Sequence, residues 1–304
     1  MTADATAAAQ RAANRRGVLA LSAGMASFVT NDSLVKYVGQ SLPGSELIFI
    51  RGLFATVLVL AIAHAMRATS SMAVLTERRV MVRAGFDAFA TMTYLTSLFH
   101  LPLANATAIN MATPLFITLF AVIGFAEKVG ARRWLALATG FAGVLLVVQP
   151  TAAGFNAYAL LCLGGTLLHA ARDLTTRTID KRIPSILITL STAVAVTLLA
   201  GLWGLVARDW QPVNATQLAL LAAASVFLSG GYFSLTVAMR SGEMSLVAPF
   251  RYTGLLFALV LGFAVWGDVP NPMAWAGIAL LVGAGVVVLH GERRGRPELE
   301  PAAD

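Results

Sequence analysis

The stretch "ASFVTNDSLVK" (residues 26–36) closes an apolar run that opens near Gly17. A run of roughly 20 such residues is long enough to cross a bilayer as a helix. Two charges stand inside it, Asp32 and Lys36, four apart and therefore one helical turn from each other. The stretch also has a counterpart. Shifted by 141 residues without gaps, it lies over "TLLHAARDLTT" (166–176) and its sequel, so that Asp32 meets Asp173 and Lys36 meets Arg177. In the same register Gly24 meets Gly165, Glu127 meets Asp268 and Trp134 meets Trp275. Identity is otherwise low, and the agreement on one offset carries the reading of an internal repeat.

The whole chain has the composition this reading needs. Hydrophobic residues make up 58% and charged residues 12% of 304, against about 25% charged in a soluble domain. Apolar runs recur at roughly 17–37, 45–66, 79–99, 104–125, 131–149, 156–176, 184–206, 215–239, 244–266 and 273–290. Short strands of alternating polarity, the mark of a membrane barrel, are absent. The expected fold is an all-α polytopic membrane protein of ten spans, five to each half. Five is odd, so the second half enters the membrane from the opposite side. Such inverted repeats typify secondary transporters, with the substrate near the midplane between the halves.

Lys and Arg in the loops set the orientation. With the N-terminus inside, the cytoplasmic segments hold Arg11, Arg15, Arg16, Arg67, Arg78, Arg79, Arg83, Lys128, Arg132, Arg133, Arg177, Lys181, Arg182, Arg240, Arg293, Arg294 and Arg296. The outer loops hold only Arg208. Both termini are therefore expected in the cytoplasm of a bacterial-type inner membrane. The basic segment before Gly17 precedes a full-length span without a small-residue cleavage site, so it reads as a tail and not as a signal peptide. The division expected is a tail (1–16), a first five-helix repeat (17–150), a second (156–290) and a closing tail (291–304). The charge of +7 follows from this asymmetry and needs no nucleic-acid partner.

Three segments carry a family resemblance. "PLANATAINMATPLFITLFAVIGFAEKVGARRWLALATGFAGVLLVVQP" (102–150) resembles the first-repeat signature of the drug/metabolite transporter superfamily, in its ten-span EamA-domain branch. "LPGSELIFIRG" (42–52), with Glu46 and Arg51, is similar to that family, as is "NDSLVK" at the end of the first span. "VAPFRYTGLLFALVLGFAVWGDVP" (247–270) looks like the second-repeat signature, with Asp268 where glutamate is more usual. The resemblance implies a ten-helix exporter of metabolites, amino acids and aromatic amino acids among them. Neighbouring branches carry nucleotide sugars and triose phosphates.

Ionisable groups in a bilayer core are costly and face a cavity or a partner. Arg251 stands about 10 Å into the ninth span, at the repeat position of Asn110 in the fourth. Arg251 and Arg172 are candidates to meet a carboxylate. Asn110 and Asn31 offer directed hydrogen bonds, and Tyr94, Tyr232 and Tyr252 aromatic surface. His169 is the candidate proton switch if transport is proton-linked. Asp32 with Lys36, and Asp173 with Arg177, read as helix-end ion pairs or gates. Arg51 reads as reaching outward or pairing with Glu46, and Asp87, one turn after Arg83, as its local partner. Pro114 and Pro249 are expected helix bends. Helices one, three, four, six, eight and nine are expected to line the cavity.

Other chemistries lack their motifs. No lysine follows a glycine, so a phosphate-binding G-x-x-x-x-G-K-[ST] loop is missing, as are H-E-x-x-H and G-x-S-x-G. The expectation is therefore no enzyme, no cofactor and no metal, with a small solute and the lipid bilayer as partners and the choice of monomer or homodimer open. A sugar-phosphate, nucleotide-sugar or lipid-linked translocator on the same architecture is the alternative. A channel or intramembrane enzyme is the remote one.

Overall fold

The computed structural model describes residues 3–125, 131–148, 156–176, 178–180, 182–240 and 248–291. Among them there is no strand. The helices are α1 (Ala3–Val38), α2 (Gly44–Ala65), α3 (Arg78–His100), α4 (Leu103–Asn110), α5 (Thr113–Phe125), α6 (Ala131–Val148), α7 (Ala157–Thr176), α8 (Ser185–Ala207), α9 (Ala215–Arg240), α10 (Thr253–Trp266) and α11 (Pro272–Gly291). Four of them hold segments long and apolar enough to cross a bilayer: Ala9–Val38, Gly44–Ala65, Ser185–Ala207 and Ala215–Leu235. Shorter apolar stretches lie in α4–α5, α6, α10 and α11. The segment expected as a tail is helical from Ala3 and continues α1 without a break; its run of alanines is the strongest of helix formers.

Local structure repeats at the 141-residue offset. Pro43 and Pro184, both with extended backbone, precede α2 and α8. A proline suits a helix start because its missing N–H has no partner there in any case. Past the other end of each helix stands an arginine in the left-handed region, Arg67 at φ 56° and Arg208 at φ 54°. They are the only non-glycine residues with positive φ among those described.

Packing repeats as well. α1 lies along α9 and α3 along α7, pairs that the offset exchanges. α2 lies on α8 and α6 on α11, pairs that it maps onto themselves. Small residues allow the close crossings. A Cβ on Gly24 would stand 3.2 Å from the Gly231 carbonyl, and one on Gly165 3.4 Å from the Ala90 carbonyl, the equivalent contact in the other half. Thr56 and Thr197, 141 apart in sequence, share a hydrogen bond of 3.3 Å between their hydroxyls. Contact between equivalent residues requires them to flank a two-fold axis. Val57 and Leu198, the next equivalent pair, are 66% and 67% exposed. Lipid, not water, suits that outward face.

The fourth expected span departs from a bent helix. It breaks at Met111–Ala112 into α4 and α5, and Pro114 stands in the first turn of α5, where proline is tolerated. The second half breaks at the same repeat position, where a 3-10 turn, Ala248–Tyr252, containing Pro249, gives way to α10. The expected start of the ninth span, 244–247, lies outside the described residues.

Candidate functional site

Both breaks border a cavity of 240 Å³, with Asn110, Met111 and Thr113 of one and Arg251 and Gly254 of the other in its lining. Its lining obeys the offset: Phe28 and His169, Asn31 and Arg172, Arg51 and Thr192, Gly52 and Ala193, Thr91 and Tyr232, and Asn110 and Arg251 are all lining pairs 141 apart. The cavity therefore sits on the repeat axis. Its backbone frame is symmetric and its chemistry is not, since an amide opposes a guanidinium twice and a guanidinium opposes a hydroxyl once.

Seven of the expected site residues line this cavity: Asn31, Tyr94, Asn110, His169, Arg172, Tyr232 and Arg251. Asn110, the last residue of α4, accepts a hydrogen bond from His169 Nδ1 at 2.9 Å and so ties the break to α7. The Tyr94 ring stands 6.1 Å from His169, and Phe28 packs edge-on against Tyr232 at 5.2 Å. Tyr252 is a correction. It follows Arg251 on the tight turn, so its side chain leaves in another direction. It lines a separate apolar groove with Phe250 and Trp275, and its buried hydroxyl has no partner.

The first of the two helix-end pairs is also corrected. Asp32 does not bond to Lys36. It faces the cavity and accepts from Tyr94 OH at 2.9 Å and Asn31 Nδ2 at 2.8 Å. Lys36 turns the other way, donates to the Leu101 carbonyl and lies over the Trp266 ring, 5.2 Å from its centre. A backbone carbonyl at the α3–α4 turn satisfies the ammonium where a cavity carboxylate was expected to. The second pair, Asp173 with Arg177, falls outside the described residues at Arg177; Asp173 pairs with its neighbour Arg172 at 2.8 Å.

Three features of the cavity escaped the sequence reading. Arg51 neither reaches outward nor meets Glu46. Only 5% exposed, it lines the cavity and donates to Asn31 Oδ1 at 3.3 Å, while Glu46 accepts from the Gln211 backbone. Arg83 and Asp87 form the expected local pair, at 3.3 Å, but the pair also belongs to a cluster. Arg172 reaches Asp87 at 2.8 Å, and Arg83 reaches Thr176 and Thr192. The cluster thus ties α3 to α7 and α8. The second and seventh spans, not expected at the cavity, enter its wall through Arg51, Gly52 and Ala55 and their equivalents Thr192, Ala193 and Val196. The small Gly52 and Ala55 close to Arg51, set among Leu47, Ile48, Phe49, Leu53 and Phe54, were the available signal. Among the described residues no group of side chains is arranged to hold a metal.

Comparison with known proteins assigns this architecture. The family model described as "EamA-like transporter family" matches residues 15–149 and again 156–290. The chain belongs to the EamA-like transporter family. Its similar relatives within the drug/metabolite transporters are named for small molecules. A riboflavin transporter of Rhizobium johnstonii is 30% identical over 71% of each chain. The pseudopaline exporter CntI of Pseudomonas aeruginosa is 27% identical over 88% of this chain and 94% of its own. An S-adenosylmethionine uptake transporter of Rickettsia prowazekii is 25% identical over 87% and 89%. A solved crystal structure shares the fold at a TM-score of 0.64 and 18% identity, over 92% of this chain and 99% of that one. This member of the family is thus an all-helical membrane protein among carriers of small molecules.

Proposed function

We propose that the chain is a ten-span secondary transporter of the bacterial inner membrane that exports small organic solutes, amino acids including aromatic ones, by alternating access. In this reading two inverted five-helix repeats (17–150 and 156–290) lie between a first segment (1–16) and a last (291–304), with both termini in the cytoplasm. The observation that carries the reading is the cavity on the repeat axis, walled by both halves and lined with charged, amide and aromatic groups. The Arg83–Asp87–Arg172 cluster joins the helices at its cytoplasmic end, and Lys36 with Leu101 and Trp266 joins them at the other. Each must part for that side to open. The four lining arginines favour a phosphorylated solute as second reading. Asp32 and Asp87 weigh against it, because Asp87 already pairs two of the arginines and Asp32 repels a dianion. The relatives named for riboflavin and S-adenosylmethionine fit a site for ring-bearing polar solutes.

Counterflow in proteoliposomes tests the reading. Labelled aromatic amino acids should exchange, and unlabelled amino acids should compete where sugar phosphates do not; the reverse order of competition overturns it. Arg251→Ala should abolish exchange while the purified protein stays monodisperse, and a wild-type rate in that variant removes Arg251 from the site. Orientation has its own test, because the single cysteine, Cys162, is buried and silent. In intact cells a membrane-impermeant thiol reagent should label Gln40→Cys, in the exposed α1–α2 turn, and spare Ser70→Cys between α2 and α3. The opposite pattern inverts the topology.

A further inference from the structure

The repeat provides two equivalent pairs of neighbours, Asn31–Asp32 on α1 and Arg172–Asp173 on α7, of which Asn31, Asp32 and Arg172 line the cavity. In each, the first residue donates to the carboxylate of the second: Asn31 Nδ2 to Asp32 at 2.8 Å, Arg172 Nε to Asp173 at 2.9 Å. They differ in what remains unused. Arg172 is engaged by two carboxylates, Asp87 and Asp173, and Arg83 by Asp87 and two threonine hydroxyls. That cluster is closed upon itself. Arg51, the cation beside the Asn31–Asp32 pair, makes among the described residues one long hydrogen bond, 3.3 Å to Asn31, and its buried Nε has no partner among them. A guanidinium 5% exposed with an idle donor carries a desolvation cost that an incoming acceptor relieves.

Asp32 complements it. No ion pair joins Asp32 to Arg51 among the described residues, because the Asn31 side chain stands between them, accepting from Arg51 and donating to Asp32. An ionised carboxylate has about four acceptor sites, and Asp32 uses two, for Asn31 and Tyr94. It is half-buried and opens onto the cavity. An anion-seeking and a cation-seeking group are thus held apart by one amide, both lining the same space.

We propose that Arg51, Asn31 and Asp32 form the head-group site for a zwitterion, with the solute's carboxylate on Arg51 and its ammonium on Asp32. The assignment rests on the transport reading above and goes further, for it fixes which half of the pseudo-symmetric cavity reads the charges. The ring or chain of the solute then lies toward Phe28, Tyr232 and His169. The closed Arg172 cluster holds helices and takes no part in reading the head group.

The test is competition against counterflow of labelled L-phenylalanine. The competitors are L-phenylalanine, L-phenylalaninamide, which lacks the carboxylate charge, and N-acetyl-L-phenylalanine, which lacks the ammonium. Removing either charge from the solute should weaken competition about 10- to 100-fold in the wild type, the worth of one charge-assisted hydrogen bond. Arg51→Gln should remove discrimination against the amide alone, and Asp32→Asn discrimination against the acetylated compound alone. Arg51→Lys should retain part of the first. A merely structural role would lower all three competitors together, and that result, or wild-type discrimination in either variant, overturns the assignment. Should Arg51→Gln fail to fold, Asp32→Asn decides by itself. Exchange of L-phenylalanine by a wild type that ranks the three alike sinks the head-group site and leaves the transport reading standing. No exchange at all fells the amino-acid reading, and this assignment with it.

Discussion

Asp87→Ala should destabilise the protein by about 3–5 kcal/mol, the cost of leaving buried cations without their partner. Asp87 is 2% exposed and faces Arg172 at 2.8 Å and Arg83 at 3.3 Å. Its removal strands two guanidinium groups at the junction of α3, α7 and α8. Both retain other acceptors, Asp173 for Arg172 and the threonines for Arg83, which keeps the loss finite. The second substitution Arg172→Met should return part of the stability, since it removes one of the stranded charges. Thermal unfolding of purified protein in detergent reads both effects. A loss under about 1 kcal/mol for Asp87→Ala, or no recovery in the double variant, would show that the cluster contributes no more than an exposed ion pair.

Gly143→Leu should act through shape, not charge. A Cβ on Gly143 would stand 2.7 Å from the Gly277 carbonyl and 2.9 Å from the Leu281 amide. A Cβ on Gly277 would stand 2.6 Å from the Gly143 carbonyl. Both obstacles are backbone, so a side chain at either glycine must push α6 and α11 apart along their whole contact. Overpacking of this kind costs about 1–3 kcal/mol. Gly277→Leu should cost a similar amount, and the two together less than their sum, because a gap once opened admits both side chains. Gly283→Leu on the same helix is the control: nothing lies within 4 Å of its Cβ, and it should stay within about 0.5 kcal/mol of wild type. Equal losses at Gly143 and Gly283 would refute the close crossing.

Much of the fold was legible because hydropathy and an offset are properties of the chain alone. The shift that aligns Asp32 with Asp173 also relates Pro43 to Pro184, Arg67 to Arg208 and Thr56 to Thr197, which match in backbone and contact as well as in sequence. The break at Met111–Ala112 was legible only as a bend, because Pro114 marks a helix start as readily as a kink. The site was legible where a polar residue sits mid-span on a cavity face, as with Asn110 and Arg251. It was illegible where a partner comes from a distant helix. Lys36 is within one turn of Asp32, and helical spacing favours that pair, but the competitors Leu101 and Tyr94 are close only in three dimensions. Arg51 was misplaced for the same reason, its neighbour Asn31 lying on another helix. Tyr252 fell outside because a 3-10 turn rotates each residue farther than an α-helix does.

The contact between Thr56 and Thr197 has a consequence for what a protein of two like halves is free to change. A residue beside such an axis must tolerate its own image. Two lysines or two aspartates there would repel, whereas a hydroxyl both donates and accepts and so satisfies a copy of itself. Away from the axis no such bond holds. Asn31 and Arg172, or Arg51 and Thr192, occupy matching places and have become unlike. The residues at the axis keep their kinship, while the walls of the cavity differ like a left and a right hand.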